Sequence, residues 1–162
     1  MTAAPRTTDH PLPPLDLPGD GDWLTWVSER CEGHLAEATR LVEELKAGGP
    51  GAGAAEVLAT WNRAETAIAN ASSVSVWSEV HPDAAVRDRA DELGQDVQRF
   101  VTELGLDRDL YAVLAGLDAA EVEALDDDAR RVLDHALRDF RRAGVDRRPV
   151  RDDAVVMLMA AG

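Results

Sequence analysis

Apolar positions recur at helical spacing through most of this chain. In "DWLTWVSERCEGHLAEATRLVEELKAGG", Trp23, Val27, Leu35, Ala38, Val42 and Leu45 fall on one stripe of a helix. Asp20 or Asp22 can cap its start, and Gly48 and Gly49 stop it. The linker "GGPGAG" then reverses the chain. A second helix is predicted from about Ala54 to Val80, with Val57, Trp61, Ala64, Ile68, Ala71 and Val74 spaced by threes and fours. Its end, "NASSVSVWSEV", loosens into small and β-branched residues that are weaker helix formers. Small side chains at Ala69, Ala71, Ser72 and Ser73 allow a neighbouring helix to come close.

The third predicted helix is the most regular. Val86, Ala90, Leu93, Val97, Phe100 and Leu104 make a heptad seam, and the residues between them are almost all polar. Past Gly105, "LDRDLYAVLAGLD" reads as a shorter helix capped by Asp107. "AAEVEALDDDARRVLDHALRDFRRAGV" is expected to make a turn and then a last helix, with Ala129, Leu133, Ala136, Leu137 and Phe140 on its stripe. That helix has acids at its start and Arg138, Arg141 and Arg142 near its end, the arrangement the helix dipole favours. No segment alternates convincingly with period two. The predicted fold is therefore all-α, an antiparallel bundle of about four to five helices, without an internal repeat.

Composition narrows the classes of function. Aromatic residues make up only 4% of the chain, so Ala, Val and Leu must build the core. Acidic residues number 31 against 17 basic, a formal net charge of −14. Such a surface repels phosphate backbones and anionic headgroups, so neither nucleic acid nor membrane is an expected partner. A single cysteine, Cys31, rules out an intramolecular disulfide framework. Neither end carries an apolar run of the ~18 residues that span a bilayer. The N-terminus lacks a secretory signal, so the cytoplasm is the default compartment. Five of the eight prolines lie before Gly19, so residues 1–19 are expected to form a mobile arm.

The candidate chemistry is sparse. In "WSEVHPDAAVRDRADEL", His81 has Glu79 and Asp83 beside it, which invites an acid/base or metal reading. Each residue of the corner already has a structural role, however. Proline is tolerated at the first helical position, Asp83 favours a helix start, and the residue before proline leaves helical geometry. His81 is therefore expected to be a helix joint whose replacement changes stability little. Cys31, His34 and Glu37 share one side of a helix, but a structural zinc site needs four ligands and no second cysteine or paired-histidine motif exists. Di-iron bundles need Glu-x-x-His pairs. The residues three before His10, His34, His81 and His135 are Thr7, Cys31, Ser78 and Val132. His34 is expected to be partly buried and His135 a surface or boundary group. There is no G-x-S-x-G, "GGPGAG" lacks the Lys-Ser/Thr of a phosphate loop, and H-E-x-x-H is missing. No catalytic, cofactor-binding or metal residue is assigned.

The middle of the chain carries a resemblance. "NASSVSVWSEVHPDAAVRDRADELGQDVQRFVTELGLDRDLYAVLAGL" (70–117), followed by "LDDDARRVLDHALRDFRRAGV" (125–145), resembles the N-terminal helical region of the thimet oligopeptidase family of zinc metallopeptidases. The order and spacing of "SEVHPD", the long acidic helix, "LDRDLY" and "DFRRAGV" match together, over roughly residues 20–146. The resemblance implies an almost wholly helical fold in which this region forms one wall of a deep channel. It also implies a parent enzyme that cuts short peptides, with zinc ligands and catalytic glutamate on an H-E-x-x-H helix far downstream. None of those positions exists here, so zinc is expected for the full-length family and not for this chain. Residues 147–162, "RRPVRDDAVVMLMAAG", depart from the family pattern as a divergent tail, as a truncation or frame change within a longer gene would produce.

Two functions follow as expectations. One is an N-terminal fragment of such a metallopeptidase, inactive alone, whose partner is the missing catalytic region or a second copy. This reading expects the seam around Leu93, Val97 and Phe100 to lie partly bare, a surface prone to association. The other is a free-standing acidic helical bundle that acts as a protein-binding or regulatory module.

Overall fold

The computed structural model describes residues 17–19, 21–48 and 53–146, which are all-α. The proline-rich arm, the centre of the "GGPGAG" linker, Asp20 and Gly49, and the tail at 147–162 lie outside the described residues. The helices are α1 (Trp23–Gly48), α2 (Ala54–Ser72), α3 (Ser75–Val80), α4 (Ala84–Gly105), α5 (Arg108–Ala115), α6 (Ala119–Ala124) and α7 (Asp127–Ala143). Asp22 opens α1: its carboxylate accepts the Thr25 N–H at 3.0 Å and the Thr25 hydroxyl at 2.6 Å.

The predicted second helix is broken at Ser73–Val74 into α2 and α3. Serine chemistry accounts for the break. The hydroxyls of Ser72, Ser73, Ser75 and Ser78 donate back to the carbonyls of Ile68, Asn70, Ser72 and Ser75 at 2.6–3.0 Å. These bonds compete with the helical ladder. The backbone responds with three-residue bonds, Ser73 N–H to Asn70, Val74 to Ala71 and Trp77 to Val74. The turn expected before the last helix contains the short helix α6, capped by Asp118.

The corner at His81 also differs in detail. His81 caps the C-terminus of α3 in extended geometry, as a residue before proline should. Pro82 is not the first residue of α4, however. Asp83 is the N-cap, its side chain accepting the Ala85 N–H, so proline stands one position outside. Asp107 caps α5 as expected, accepting from Asp109 and Leu110. The end of α7 is a Schellman turn. Gly144 takes φ 99°, and the Val145 N–H reaches the Phe140 carbonyl at 3.2 Å. Val145 and Phe140 are both buried in the same core.

The interior has two clusters. The larger joins Leu41, Val57, Trp61, Leu110, Leu114, Leu133 and Phe140 with their neighbours; the smaller joins Val27, Cys31, Ala71, Val74, Val86, Ala90, Leu93 and Val97. Helices α1, α2 and α4 contribute to both. Four leucines, Leu41, Leu93, Leu110 and Leu114, are at most 1% exposed. Each contributes about 1.5–3 kcal/mol by leaving water. The α4 seam is not bare: Leu93 and Val97 are fully buried, and Phe100 is half-buried against the larger cluster. Helices α1 and α3 cover most of it, and Ala71 at the end of α2 packs in the same cluster.

Polar ties between distant segments fix the helices in place. Arg89 of α4 donates to Ser28 (3.0 Å) and pairs with Glu32 (2.8 Å) on α1. Lys46 of α1 bridges to Asp107 at 3.0 Å. The N-terminus of α2 has glycine at its cap position, so no local side chain satisfies it. Glu121 of α6 does so instead, accepting the Ala54 N–H at 2.7 Å.

Candidate binding groove

The candidate residues of the corner do not assemble a catalytic site. His81 is buried, at 8% exposure, and its ring packs on Trp23 at 4.8 Å and Trp77 at 6.4 Å. Its Nδ1 accepts the Asp83 N–H at 3.2 Å, and its carbonyl accepts from Arg87 at 2.7 Å. The expectation of an indifferent joint is corrected here: His81 is a joint, but one locked into a cluster of three tryptophans. Trp23, Trp26 and Trp77 stand 5.0–5.7 Å apart, and the Arg30 guanidinium lies 5.4 Å from the Trp26 ring centre. The rings pack edge-on or tilted against one another, and the gap beside Trp26 and Trp77 is about 10 Å³, so no cage remains for a ligand. Glu79 is exposed.

The second candidate set also separates. Cys31 is 2% exposed, with its thiol on the Ala71 carbonyl at 3.8 Å. Burial raises its pKa, and Glu32 and Asp96 add to the effect, which leaves an inert thiol. His34 is half-buried, as expected; burial and then Arg30 hold its pKa below the ordinary value. Glu37 turns outward to Arg40, 2.8 Å away. Among the described residues, no group of three or more His, Cys, Asp or Glu side chains could hold a metal ion.

What the structure brings together instead is a groove of about 420 Å³ between α2, α4 and α7. Its floor is Trp61, Leu104 and Phe140, with the Trp61 and Phe140 rings 5.9 Å apart. Val101 and Val132 stand on its rim, 38% and 41% exposed. Gly105 and Ala143 close one end. A Cβ on Gly105 would stand 3.3 Å from that of Ala143, so two minimal side chains let the ends of α4 and α7 meet. The volume is that of an ordinary ligand or side-chain pocket.

Three polar groups line this apolar trough: Glu65, His135 and Asp139. Although Glu65 is exposed as a residue, crowding at the groove raises the pKa of its carboxyl, with the Asp139 charge second. Asp139 has Arg138 and Arg142 at 3.6 and 3.7 Å, whereas Glu65 forms no ion pair among the described residues. A surface with apolar walls and one unneutralised carboxylate suits an apolar segment that carries positive charge. It offers no nucleophile with an adjacent base.

In the sequence Trp61 and Phe140 stand on separate stripes, with nothing to connect them. A signal was present in the widening of two stripes: Val101 beside Phe100, and Val132 beside Leu133, add apolar residues one position off the seam. Among the described residues, no helix is long and apolar enough to cross a membrane. Comparison with family models, curated proteins and solved structures finds no match for this chain.

Proposed function

We propose that this chain is the N-terminal helical wall of an oligopeptidase-type zinc metallopeptidase, acting in the cytoplasm, and that it contributes surface and not chemistry. The parent enzyme hydrolyses short peptides with zinc; this chain, without H-E-x-x-H, does neither alone. The reading rests on the ordered resemblance of "SEVHPD", "LDRDLY" and "DFRRAGV" in an all-α chain. The observation that carries it is the α2/α4/α7 groove, whose apolar walls remain open to an added helix. The test uses the pure chain and a separately produced H-E-x-x-H region from a member of that family. Expected are no zinc retained through dialysis, no chelator-sensitive peptide cleavage, and association of the two parts that Val132→Glu weakens. Cleavage by the chain alone, or no association, overturns it.

The covered α4 seam favours a second reading. A fragment is expected to leave part of the seam around Leu93, Val97 and Phe100 bare, yet the chain buries Leu93 and Val97 itself and half-buries Phe100. A free-standing acidic module that binds a partner through the groove accounts for that completeness. Such a module melts sharply as a monomer and ignores the metallopeptidase region.

A further inference from the structure

We propose that the helix this groove accepts is amphipathic and basic, with an apolar ridge seated over Trp61, Leu104 and Phe140 and a lysine or arginine beside Glu65. This deepens the preceding proposal and rests on its reading of the groove as the seat of an added helix.

The shape of the gap argues for a helix. Of the 17 residues of α7, only Leu133 and Phe140 are buried. Val132, Ala136, Phe140 and Ala143 line the groove at helical spacing over about 17 Å, at ~1.5 Å per residue. Helices α2 and α4 each add about one turn, through Trp61 with Glu65 and through Val101 with Leu104. Three helices thus wall a trough whose outer side is open. An apolar helix face fills such a trough with side chains at three- and four-residue spacing. An extended strand would set its own N–H and C=O groups against apolar walls, whereas a helix satisfies them internally.

Charge then selects among helices. Glu65 on α2 and Asp139 on α7 enter the groove from two walls. Asp139 has its two arginines at 3.6 and 3.7 Å, but no ion pair reaches Glu65 among the described residues. Burial at the groove, and then the Asp139 charge, raise the Glu65 pKa, so the ionised form is penalised in the free chain. An uncharged helix laid over the groove would deepen that penalty, and a cation on the incoming helix relieves it. A second copy of this chain brings a net charge of −14 and is the poorer occupant.

Helical peptides test this on the full chain. The probe is a fluorescently labelled peptide of about 20 residues, long enough to hold a helix in water. It carries leucines at three- and four-residue spacing, flanked by lysines; its twin has glutamates in place of the lysines. Anisotropy titrations at ~0.15 M salt, where distant charges are screened, should show the lysine peptide binding at least about tenfold tighter. Glu65→Lys should cut that preference severalfold, and thermal melts confirm that the variant folds. Asp88→Lys makes the same change in net charge at an exposed position of α4, about 20 Å from Val101 at ~1.5 Å per residue, and should leave the preference intact. No binding of either peptide, equal binding of the two, or a preference that both variants reduce alike overturns the proposal. So does self-association that excludes the peptide, which assigns the groove to a second copy. Failure of the metallopeptidase region to associate, beside a lysine preference governed by Glu65, overturns the parentage and leaves the basic helix standing. Association that Val132→Glu weakens, beside peptides that bind alike, overturns the basic helix and leaves the parentage.

Discussion

Replacing His81 by alanine isolates what the corner contributes. Alanine adopts the extended backbone of this position, φ −71° and ψ 135°, without strain, so the joint itself survives. The carbonyl that accepts from Arg87 also survives. Besides the longer contact with Trp77 at 6.4 Å, two close interactions are lost. The ring contact with Trp23 at 4.8 Å is worth about 0.5–1.5 kcal/mol. The bond from the Asp83 N–H at 3.2 Å is worth about 0.5–1.5 kcal/mol. Asp83 is exposed, so water can satisfy that N–H afterwards and no further burial penalty arises. The sum is about 1–3 kcal/mol, well above the ~0.5 kcal/mol of an ordinary surface change. Urea titration followed by far-UV circular dichroism measures it, and His81→Phe separates ring from Nδ1 by keeping the ring contact alone. A loss under ~0.5 kcal/mol for His81→Ala would refute the stacking argument. So would a loss exceeding that of Trp61→Ala, which should cost about 3–5 kcal/mol at 5% exposure.

Three other outcomes follow from particular contacts. Leu110→Ala, at 0% exposure between α5 and its neighbours, should cost about 2–5 kcal/mol in a denaturant titration; less than ~1 kcal/mol would mean the site collapses freely. Asp107→Ala removes the α5 cap and the Lys46 bridge together and should cost about 1–2 kcal/mol at neutral pH. Burial alone would raise the Asp107 pKa, but the Leu110 N–H, Lys46 and the Asp109 N–H outweigh it and lower it. Its stabilisation is therefore present above the ordinary carboxylate range and fades as pH falls through the depressed value. Glu65 has the opposite sign. With its folded pKa raised, protonation favours the fold, and that benefit is lost as pH rises through the raised value. Glu65→Gln should thus raise the melting temperature at pH 7 and lose its advantage below about pH 4; a lowered melting temperature at pH 7 contradicts the crowding argument.

Local rules made much of this fold legible. The stripes of α2 and α4 emerge buried because three- and four-residue spacing is a property of the helix itself, independent of partner. Asp22 and Asp107 cap where aspartate before an apolar stripe should. The misses have causes at longer range or at finer chemistry. The break at Ser73–Val74 needs four hydroxyls acting on successive carbonyls, a competition that propensity hardly weighs. The cap of α2 by Glu121 joins residues far apart in sequence. His81 becomes buried only because Trp23 and Trp77, from α1 and α3, converge on it. The groove has the same origin: Trp61, Val101 and Phe140 stand on three helices, and no one-dimensional pattern says which faces will meet.

The division of the interior into two clusters has a spectroscopic consequence. Trp23, Trp26 and Trp77 pack against the smaller cluster, while Trp61 alone sits in the larger one. Bulk tryptophan emission is therefore weighted toward the end of the molecule that holds the corner and away from the groove. If the two ends loosen at different denaturant concentrations, emission and ellipticity will part company without any misfolded species being present. An event confined to the α2/α4/α7 trough enters the emission through one indole out of four. Restricting the signal to Trp61, by replacing the other three, turns the same instrument into a reporter of the opposite end.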